Sequence, residues 1–494
     1  MSVVETIIAQ AQRPRIVRLS DAPQAWMNMS DAPQEIYMSE LIGALSYALD
    51  LTEGLPPGHC LRACWLGMKI GYRLDLTDRE LSDLYYTILL KDAGCSSNAA
   101  RLFELYANDE REIKRNYATL DSQSFTRVAR FVLANLAPEA SLREKIGRFI
   151  NLALNGEKLQ SELVQGRCER GSEIARQMGF SEVVADGISC LAEYWNGKGR
   201  PAGLAATAIP LVSRIALLAQ VAEVFYCVGG AGEAIRQLRQ RSGTWFDPVL
   251  VQTAVEISAE PNFFGALDAA DLDIRVRSLE PSIHACLVND TQMDEIAAAF
   301  ARVIDSKSPF TFGHSSRVAR YTVAIAAAMG FSRQQRQWLH RTALLHDIGK
   351  LGVSNAILDK PGKLTDIEWQ KIKEHPTFSE EILKRIPIFA KLAFVAGSHH
   401  ERLDGKGYPR GISDREIPIE ARILTTADIF DAITAERPYR KAVPVQDTLK
   451  IMDKDAGAAI DPECLAALKD AVNRGMDCSS GSSGDDLVTL RQTA

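Results

Sequence analysis

Apolar residues recur at spacings of three and four along most of this 494-residue chain, and this spacing predicts helices. The clearest stretches are Glu40–Leu51, Leu61–Tyr72, Met293–Ile304 and Val318–Met329. Glycine and proline fall in short segments between the helical stretches, and no series of alternating apolar and polar residues indicates β-strands. The pattern therefore predicts an all-α protein.

The helical pattern contains a long-range repeat. The segment GHCLRACWLGMKIGYRLDL resembles GHSSRVARYTVAIAAAMGF, which lies 255 positions later, and EYWNGKGRP resembles ERLDGKGYP, which lies 208 positions later. The two offsets differ because the first copy carries 47 extra residues, somewhere between Ser96 and Gly166. A self-similar chain of this kind predicts two tandem copies of one helical module.

The repeat and the composition together predict the domain boundaries. We expect an N-terminal extension at 1–35, a first copy at 36–258, a linker at 259–289, a second copy at 290–475 and a flexible tail at 476–494. The tail is predicted to be flexible because it is rich in serine and glycine.

Composition and charge exclude some classes of protein. The net charge of -6 argues against a DNA-binding protein, which is usually basic. The most apolar segment, Ile209–Gly230, contains Arg214 and Glu223, which argues against a membrane span. The N-terminus has no signal-peptide pattern and the nine cysteines form no CxxC pair, so we expect reduced thiols and a cytoplasmic location.

The second copy carries a set of candidate metal ligands. The chain has only 8 histidines, and five candidate ligands among them fall within residues 314–400. With two carboxylates they form a set of seven: His314, His346, Asp347, His375, His399, His400 and Asp428. Imidazole and carboxylate are ligands of zinc, iron and manganese, and seven are too many for one four-coordinate metal. They suit two metals roughly 3.5–4 Å apart, an arrangement that cleaves phosphate esters.

Charged residues near these ligands fit a phosphate substrate. The two oxygens of Asp347 could bridge two metals, and Lys350, one helical turn later, could hold a phosphate oxygen. Arg437 and Arg440 could clamp phosphate, because the guanidinium fork matches its oxygens. His399 and His400 are adjacent, and they could serve one metal or divide between two.

The segment HHERLDGKGYP contains glycines that permit tight backbone turns, and Pro409 fixes its exit. Such a loop beside the metals could shape the substrate pocket, or it could be purely structural.

The motifs HDIGK, HHERLDGKGYP and RPYR, in this order and spacing, resemble the HD-GYP family of HD phosphohydrolases over about residues 295–465. The resemblance implies an all-helical HD-GYP domain with a di- or trinuclear metal centre, often iron or manganese; magnesium, zinc or nickel are alternatives. It implies hydrolysis of cyclic di-GMP to pGpG and GMP, or of 3′,3′-cyclic GMP-AMP.

The resemblance also assigns roles to individual residues. The metal ligands it implies are His346, Asp347, His375, His399, His400 and Asp428, while His314 matches a histidine that either ligates or lies just outside. The substrate contacts it implies are Lys350, Arg437, Arg440 and the GYP residues Gly407, Tyr408 and Pro409. We expect Asp347, Lys350 and His314 to be catalytic. Trinuclear members carry a glutamate where this chain has Phe310, so we favour two divalent metals.

The first copy resembles the same domain without its chemistry. At the repeat offsets His59 and Asp92 are retained, but the other ligand positions hold Lys91, Arg167, Leu191, Ala192 and Gln220. Two of seven ligands cannot hold a dimetal centre, and Lys91 could supply the positive charge that Asp92 has lost. We expect a non-catalytic HD-like copy whose role is dimerisation, control, ligand sensing or inert packing.

Two other functions fit the sequence less well. One is a non-catalytic signalling scaffold that binds a cyclic dinucleotide or a diguanylate cyclase (GGDEF) partner, but a scaffold has no need of seven ligands. The other is a generic HD nucleotidase, which would lack the GYP loop and the RPYR pair. The sequence therefore favours a cyclic-dinucleotide phosphodiesterase, expected to be a homodimer.

Overall fold

The computed structural model describes residues 36–120, 125–137, 141–260, 262–281, 287–436 and 441–478. Three segments that the sequence analysis singled out lie outside the described residues: the N-terminal extension 1–35, the tail from 479 onward, and 437–440, which include Arg437 and Arg440.

Within the described ranges the regular structure is helical, with isolated β-bridges and no β-strand. The predicted all-α fold is therefore confirmed. The first half contains α1 (Met38–Glu53), α2 (His59–Arg73), α3 (Asp78–Leu90), α4 (Ala99–Tyr106), α5 (Glu110–Ala118), α6 (Phe125–Asn135), α7 (Leu142–Gln177), α8 (Glu182–Ser189), α9 (Leu211–Arg241) and α10 (Pro248–Ile257). The short helices α11 (Asn262–Gly265) and α12 (Leu272–Arg277) follow.

The second half continues with α13 (Asp290–Asp305), α14 (His314–Ala328), α15 (Arg333–Leu345), α16 (Asn355–Leu358), α17 (Asp366–Ile372), α18 (His375–Leu383), α19 (Ala390–Ala396), α20 (Ile419–Thr434), α21 (Val445–Asp453) and α22 (Pro462–Asn473). A short 3₁₀ turn, Ile348–Gly352, follows α15 directly and carries Lys350.

Helix boundaries follow local chemistry in the sequence. Thr77 and Ser332 cap α3 and α15, and each accepts a hydrogen bond from the backbone three residues later, where Glu80 or Gln335 bonds back. Proline in the first turn starts α10 and α22, after Asp247 and Asp461 respectively. Equivalent helices of the two halves therefore begin with equivalent signals.

The predicted repeat is also present in side-chain contacts. Arg62 and His59 in α2 both bond Glu223, as Arg317 and His314 in α14 both bond Asp431. A second matched pair ties α9 to the start of α10 and α20 to the start of α22: Arg214–Asp247 and Arg422–Asp461. His59 and Arg62 match His314 and Arg317 at the offset of 255, and Glu223 and Arg214 match Asp431 and Arg422 at the offset of 208. Asp247 and Asp461 are 214 positions apart and take the same place at the start of α10 and α22, so the two halves share one fold.

The extra segment of the first copy forms α4, α5, α6 and the N-terminal part of the long α7. It reaches the second copy through Glu110, which is fully buried and accepts from Lys307 Nζ at 3.2 Å and from Ser354 Oγ at 2.9 Å. Lys307 Nζ also donates to the carbonyl of Leu351 at 3.3 Å, and Arg111 donates to that of Gly352. The extra segment is thus hydrogen-bonded to the 3₁₀ turn that carries Lys350.

The predicted linker includes α11 and α12, which pack on the first copy. Trp65 Nε1 donates to the carbonyl of Phe263 at 3.0 Å, and Tyr72 Oη donates to that of Leu279 at 2.9 Å. Residues on both sides of the predicted boundary at 258 therefore share one core.

Among the described helices, α9 is long and apolar enough to cross a membrane by length and composition. In the folded chain 61% of its most apolar 18-residue stretch is buried, and the helix packs against α2 and α3. A central helix of a folded domain passes the same test, so α9 is weak evidence for a membrane span.

Candidate metal centre

The seven candidate ligands of the second copy converge in one buried cluster. They come from five places: the start of α14, the end of α15, the start of α18, the segment after α19, and the middle of α20. The ligands form three overlapping groups, and inside each group the ligand atoms lie within 4.8 Å of one another. The groups are His375, His399 and His400; His314, His346 and Asp347; and His346, His399 and Asp428. The folded chain thus brings together all seven residues that the sequence analysis named.

Asp347 lies at the centre, and its two oxygens face different histidines. Oδ2 is 3.3 Å from His314 Nε2 and 3.4 Å from His346 Nε2. Oδ1 is 3.3 Å from His375 Nε2 and 3.7 Å from His399 Nε2. A carboxylate placed between two pairs of imidazoles has the geometry of a bridging ligand.

The backbone fixes which nitrogen of each histidine faces the cluster. His346, His375 and His399 each direct Nδ1 at the carbonyl oxygen three residues earlier, at 2.7, 2.6 and 2.5 Å. A carbonyl only accepts, so Nδ1 carries the proton and Nε2 offers its lone pair to the cluster. Such outer hydrogen bonds are typical of metal-binding histidines.

His314 is oriented by a carboxylate instead. Its Nδ1 lies 2.7 Å from Oδ2 of Asp431, which is fully buried and also accepts from Arg317 Nε at 2.6 Å. Asp431 was not among the predicted site residues, although the repeat offset of 208 places it opposite Glu223, which bonds His59 in the same way. The acidic residues at these two matching positions, Glu223 and Asp431, were the signal in the sequence that could have identified Asp431 as a partner of His314.

Burial controls the protonation of the other histidines. It lowers the pKa of His346, and it lowers the pKa values of His399 and His400 well below the usual range, so these rings are neutral. Burial also lowers the pKa of His314, but the facing carboxylates of Asp347 and Asp431 outweigh it and raise the pKa to about 9. A metal binding at His314 would therefore displace a proton.

A close backbone approach explains the glycine of HDIGK. A Cβ on Gly349 would overlap the carbonyl oxygen of His375, which shows that α18 packs directly against the turn. Ser379 Oγ accepts from the Gly349 N–H at 2.9 Å and fixes this contact. In the first copy Gly94 meets the carbonyl of Arg167 in the same way, so Arg167 occupies the position of His375, as the repeat predicted.

The GYP loop holds the exposed side of the cluster. The Tyr408 N–H donates to the carbonyl of His400 at 3.1 Å, and the Tyr408 ring lies 4.8 Å from the His400 ring. Gly407 has no room for a Cβ beside the backbone of Glu401 and Arg402, which explains its glycine. The loop therefore positions a candidate ligand, and the prediction that Gly407, Tyr408 and Pro409 also contact substrate stays a prediction.

Lys350 lies where a phosphate contact was predicted. Its Nζ is 2.5 Å from Asp347 Oδ2, and its side chain is 21% exposed, whereas Asp347 is buried. The ammonium group thus faces both the cluster and solvent, a position from which it can bind an anion at the metal site.

The cluster fits a metal centre by its own chemistry. His314 Nε2, His346 Nε2 and Asp347 Oδ1 are buried and have no hydrogen-bond partner, which is costly unless a ligand satisfies them. The atoms left without partners are the imidazole and carboxylate donors that divalent transition metals bind. Metal ions held there would act as Lewis acids on a phosphodiester and activate the attacking water.

The first copy replaces this chemistry with an internal cation. Lys91 Nζ lies 2.8 Å from His59 Nε2 and contacts Asp92 directly, and the Lys91 side chain is fully buried. Burial raises the pKa of Asp92, but Lys91 and His59 outweigh it and lower the pKa to about 2. The predicted substitution of Lys91 for metal charge is thus matched by contacts in the structure.

A further group of potential ligands in the first copy, Glu53, Asp92 and Cys95, is already neutralised. Lys114 Nζ bonds Glu53 at 2.8 Å, and Lys91 bonds Asp92. Burial raises the pKa of the Cys95 thiol well above its usual range, so it is not the thiolate that binds metals. We assign no metal site to this group.

Comparisons with known proteins agree with this geometry. An HD domain family model matches residues 132–250 and 298–464, more than half of the chain and parts of both copies. The chain belongs to the HD domain family.

Similar proteins within this family are named as phosphodiesterases of cyclic dinucleotides. The chain is 51% identical to 3'3'-cGAMP-specific phosphodiesterase 3 of Vibrio cholerae over 445 residues, which cover 90% of this chain and 96% of the relative. It is 34% identical to the cyclic di-GMP phosphodiesterase response regulator RpfG of Xanthomonas campestris, covering 39% of this chain and 52% of that protein.

A solved structure agrees with these sequence matches. A crystal structure of a cyclic GMP-AMP specific phosphodiesterase of V. cholerae aligns with a TM-score of 0.63 and 46% identity, covering 89% of this chain and 98% of the other. Together the comparisons confirm the predicted family and the predicted enzyme class, a phosphodiesterase.

Replacing Asp431 by asparagine is expected to weaken metal binding and turnover by about 10- to 100-fold, because the amide has no negative charge and only one acceptor oxygen where His314 and Arg317 now use two. Metal content and kcat/KM would measure the effect. Asp470→Asn is a matched control, since Asp470 is partly exposed and bonds Arg474 on the surface. Unchanged metal content and activity in Asp431→Asn would contradict the orienting role.

Proposed function

We propose that this protein hydrolyses 3′,3′-cyclic GMP-AMP in preference to cyclic di-GMP. The supporting observation is the extent of the match: the relative named for 3'3'-cGAMP aligns over 90% of this chain, including both copies. The cyclic di-GMP phosphodiesterases align over much less, for example 39% for RpfG and 32% for a protein of Thermotoga maritima. Two other 3'3'-cGAMP-specific phosphodiesterases of V. cholerae align over 44% and 35% of this chain. The proposed substrate is therefore supported by the relative that shares both copies.

The proposed cofactor is a pair of divalent metals, iron or manganese. Two metals are supported by the central position of Asp347, whose two oxygens face different histidine pairs. One metal would lie toward His375, His399 and His400, and the other toward His314 and His346. Phe310, where related trinuclear sites have a glutamate, supports two metals rather than three.

The chain's own residues would then bind and orient the substrate. Lys350 places an ammonium beside Asp347, where it would neutralise a phosphate oxygen of the scissile diester. Tyr408 and the loop around it cover His400 and limit access of water from that side. The diguanylate cyclase partners, the homodimer and the cytoplasmic location stay predictions from the sequence.

The test is hydrolysis of both cyclic dinucleotides by protein purified without oxygen, with the metal content of the same sample measured. We expect about two iron or manganese ions per chain and kcat/KM at least about tenfold higher for 3′,3′-cyclic GMP-AMP. A preference for cyclic di-GMP would contradict the proposed substrate. Tight binding by the metal-loaded protein without hydrolysis would favour the scaffold function instead.

A further inference from the structure

An exposed tryptophan lies at the rim of the metal centre. Trp369, in α17, is 44% exposed, a large fraction for an indole. Its ring lies 6.0 Å from the ring of Tyr408, with the two planes at 75°. Large aromatic side chains left open to water beside a polar site are typical of ligand contacts.

Trp369 and Tyr408 continue the metal site outward. The Tyr408 ring lies 4.8 Å from that of His400, with the planes tilted by 33°, and the rings of His400 and His399 are 4.0 Å apart. An unbroken series of rings therefore leads from buried ligands to solvent. A phosphate held at Lys350 and the metals would leave the attached nucleoside at this outer end.

The two kinds of surface match the two parts of a nucleotide. The inner end offers cationic and metal-binding groups for phosphate, and the outer end offers the face of an indole. Stacking of a base on an aromatic side chain contributes roughly 1–3 kcal/mol and accepts guanine and adenine alike. A simple phosphate ester without a base would make no stacking contact with the indole at the outer end.

We propose that Trp369, supported by Tyr408, is the platform on which one purine base of the substrate stacks. This assignment rests on the proposed function, because it takes the substrate to be a cyclic dinucleotide. Trp369 then contributes to substrate affinity and positioning and takes no part in bond cleavage.

The test compares Trp369→Leu, which keeps an apolar cover for Tyr408, with Trp369→Phe, which keeps an aromatic face. We expect KM for 3′,3′-cyclic GMP-AMP to rise roughly tenfold in Trp369→Leu, with a much smaller change in kcat, and to recover largely in Trp369→Phe. Ile367→Ala is the matched control, since Ile367 is 73% exposed on the same helix. Metal content should be equal in all four proteins.

Tryptophan fluorescence gives a readout that does not need turnover. Adding 3′,3′-cyclic GMP-AMP should quench the emission of the wild type more than that of Trp369→Phe, because a stacked base quenches the indole it covers. Equal quenching, or an unchanged KM in Trp369→Leu, would overturn the platform. A wild type that shows the Trp369-dependent quenching but no hydrolysis would retain the platform and reject the proposed enzyme activity.

Discussion

Asp347→Asn is expected to lower turnover of the cyclic dinucleotide by at least about a thousandfold and to remove most of the bound metal. Asp347 lies between the two halves of the cluster, since one of its oxygens faces His314 and His346 and the other faces His375 and His399. Asparagine keeps the volume of the side chain, but it replaces one oxygen by an amide nitrogen that cannot ligate.

The charge change adds to the loss of a ligand. Burial raises the pKa of Asp347, but the Lys350 ammonium and the neighbouring His314 outweigh it and hold the pKa well below the usual range, so the side chain is an anion. Two metal ions bound without this anion would repel each other with less compensation, and Lys350 would lose its partner. We therefore expect both metals to be affected, rather than one.

Metal content by mass spectrometry and steady-state hydrolysis measure the effect, and circular dichroism checks that the variant is folded. Asp447→Asn is a matched control, because Asp447 is exposed and pairs with Lys450 on the surface of α21. Asp347→Asn protein that keeps two metals and at least a tenth of the wild-type turnover would contradict a bridging role.

The sequence predicted the parts of this protein that depend on local pattern. Helical spacing gave the all-α fold, and a matched pair of offsets gave the two copies, because both signals lie in residues close together in the chain. The ligand set was predictable for a different reason: HDIGK and HHERLDGKGYP are contiguous motifs, and the chain has few other histidines.

Contacts between distant residues were not predictable in this way. Asp431 lies 117 positions from His314, and only the fold shows that the two side chains meet. Glu110 is surrounded by charged residues in EREIKRNY and looks like a surface acid, yet it is buried against Lys307 of the second copy. Sequence spacing carries no record of such tertiary pairing, except where a repeat supplies a second example.

The role of Lys91 was predictable from the sequence only in part. The repeat placed it where His346 stands in the second copy, next to Asp92, and this position suggested a cation in place of a metal. The structure shows two contacts that the repeat does not reveal. Lys91 Nζ also lies 2.8 Å from His59 Nε2, and Glu223 bonds the other nitrogen of that ring. The first copy has therefore kept the architecture of the site while filling it with its own charges.

Lys91→Met is expected to lower the free energy of unfolding of the first copy by about 3–5 kcal/mol, because it leaves the buried Asp92 without its cation. Methionine has a similar length, so the loss comes from charge rather than from a cavity. The double variant Lys91→Met/Asp92→Asn should recover most of the stability, since it removes both charges. Lys158→Met is a control, because the Lys158 side chain is 81% exposed.

Hydrogen exchange of α2 and α3, together with thermal unfolding, would place the effect in the first copy. The double variant separates two explanations of a loss in Lys91→Met. Recovery means that the cation balances Asp92, as a metal would in the second copy, whereas an equally unstable double variant means that the lysine stem matters for packing alone. Unchanged exchange in Lys91→Met would show that Asp92 is neutralised by other groups; His59 and Arg167 both lower the pKa of Asp92.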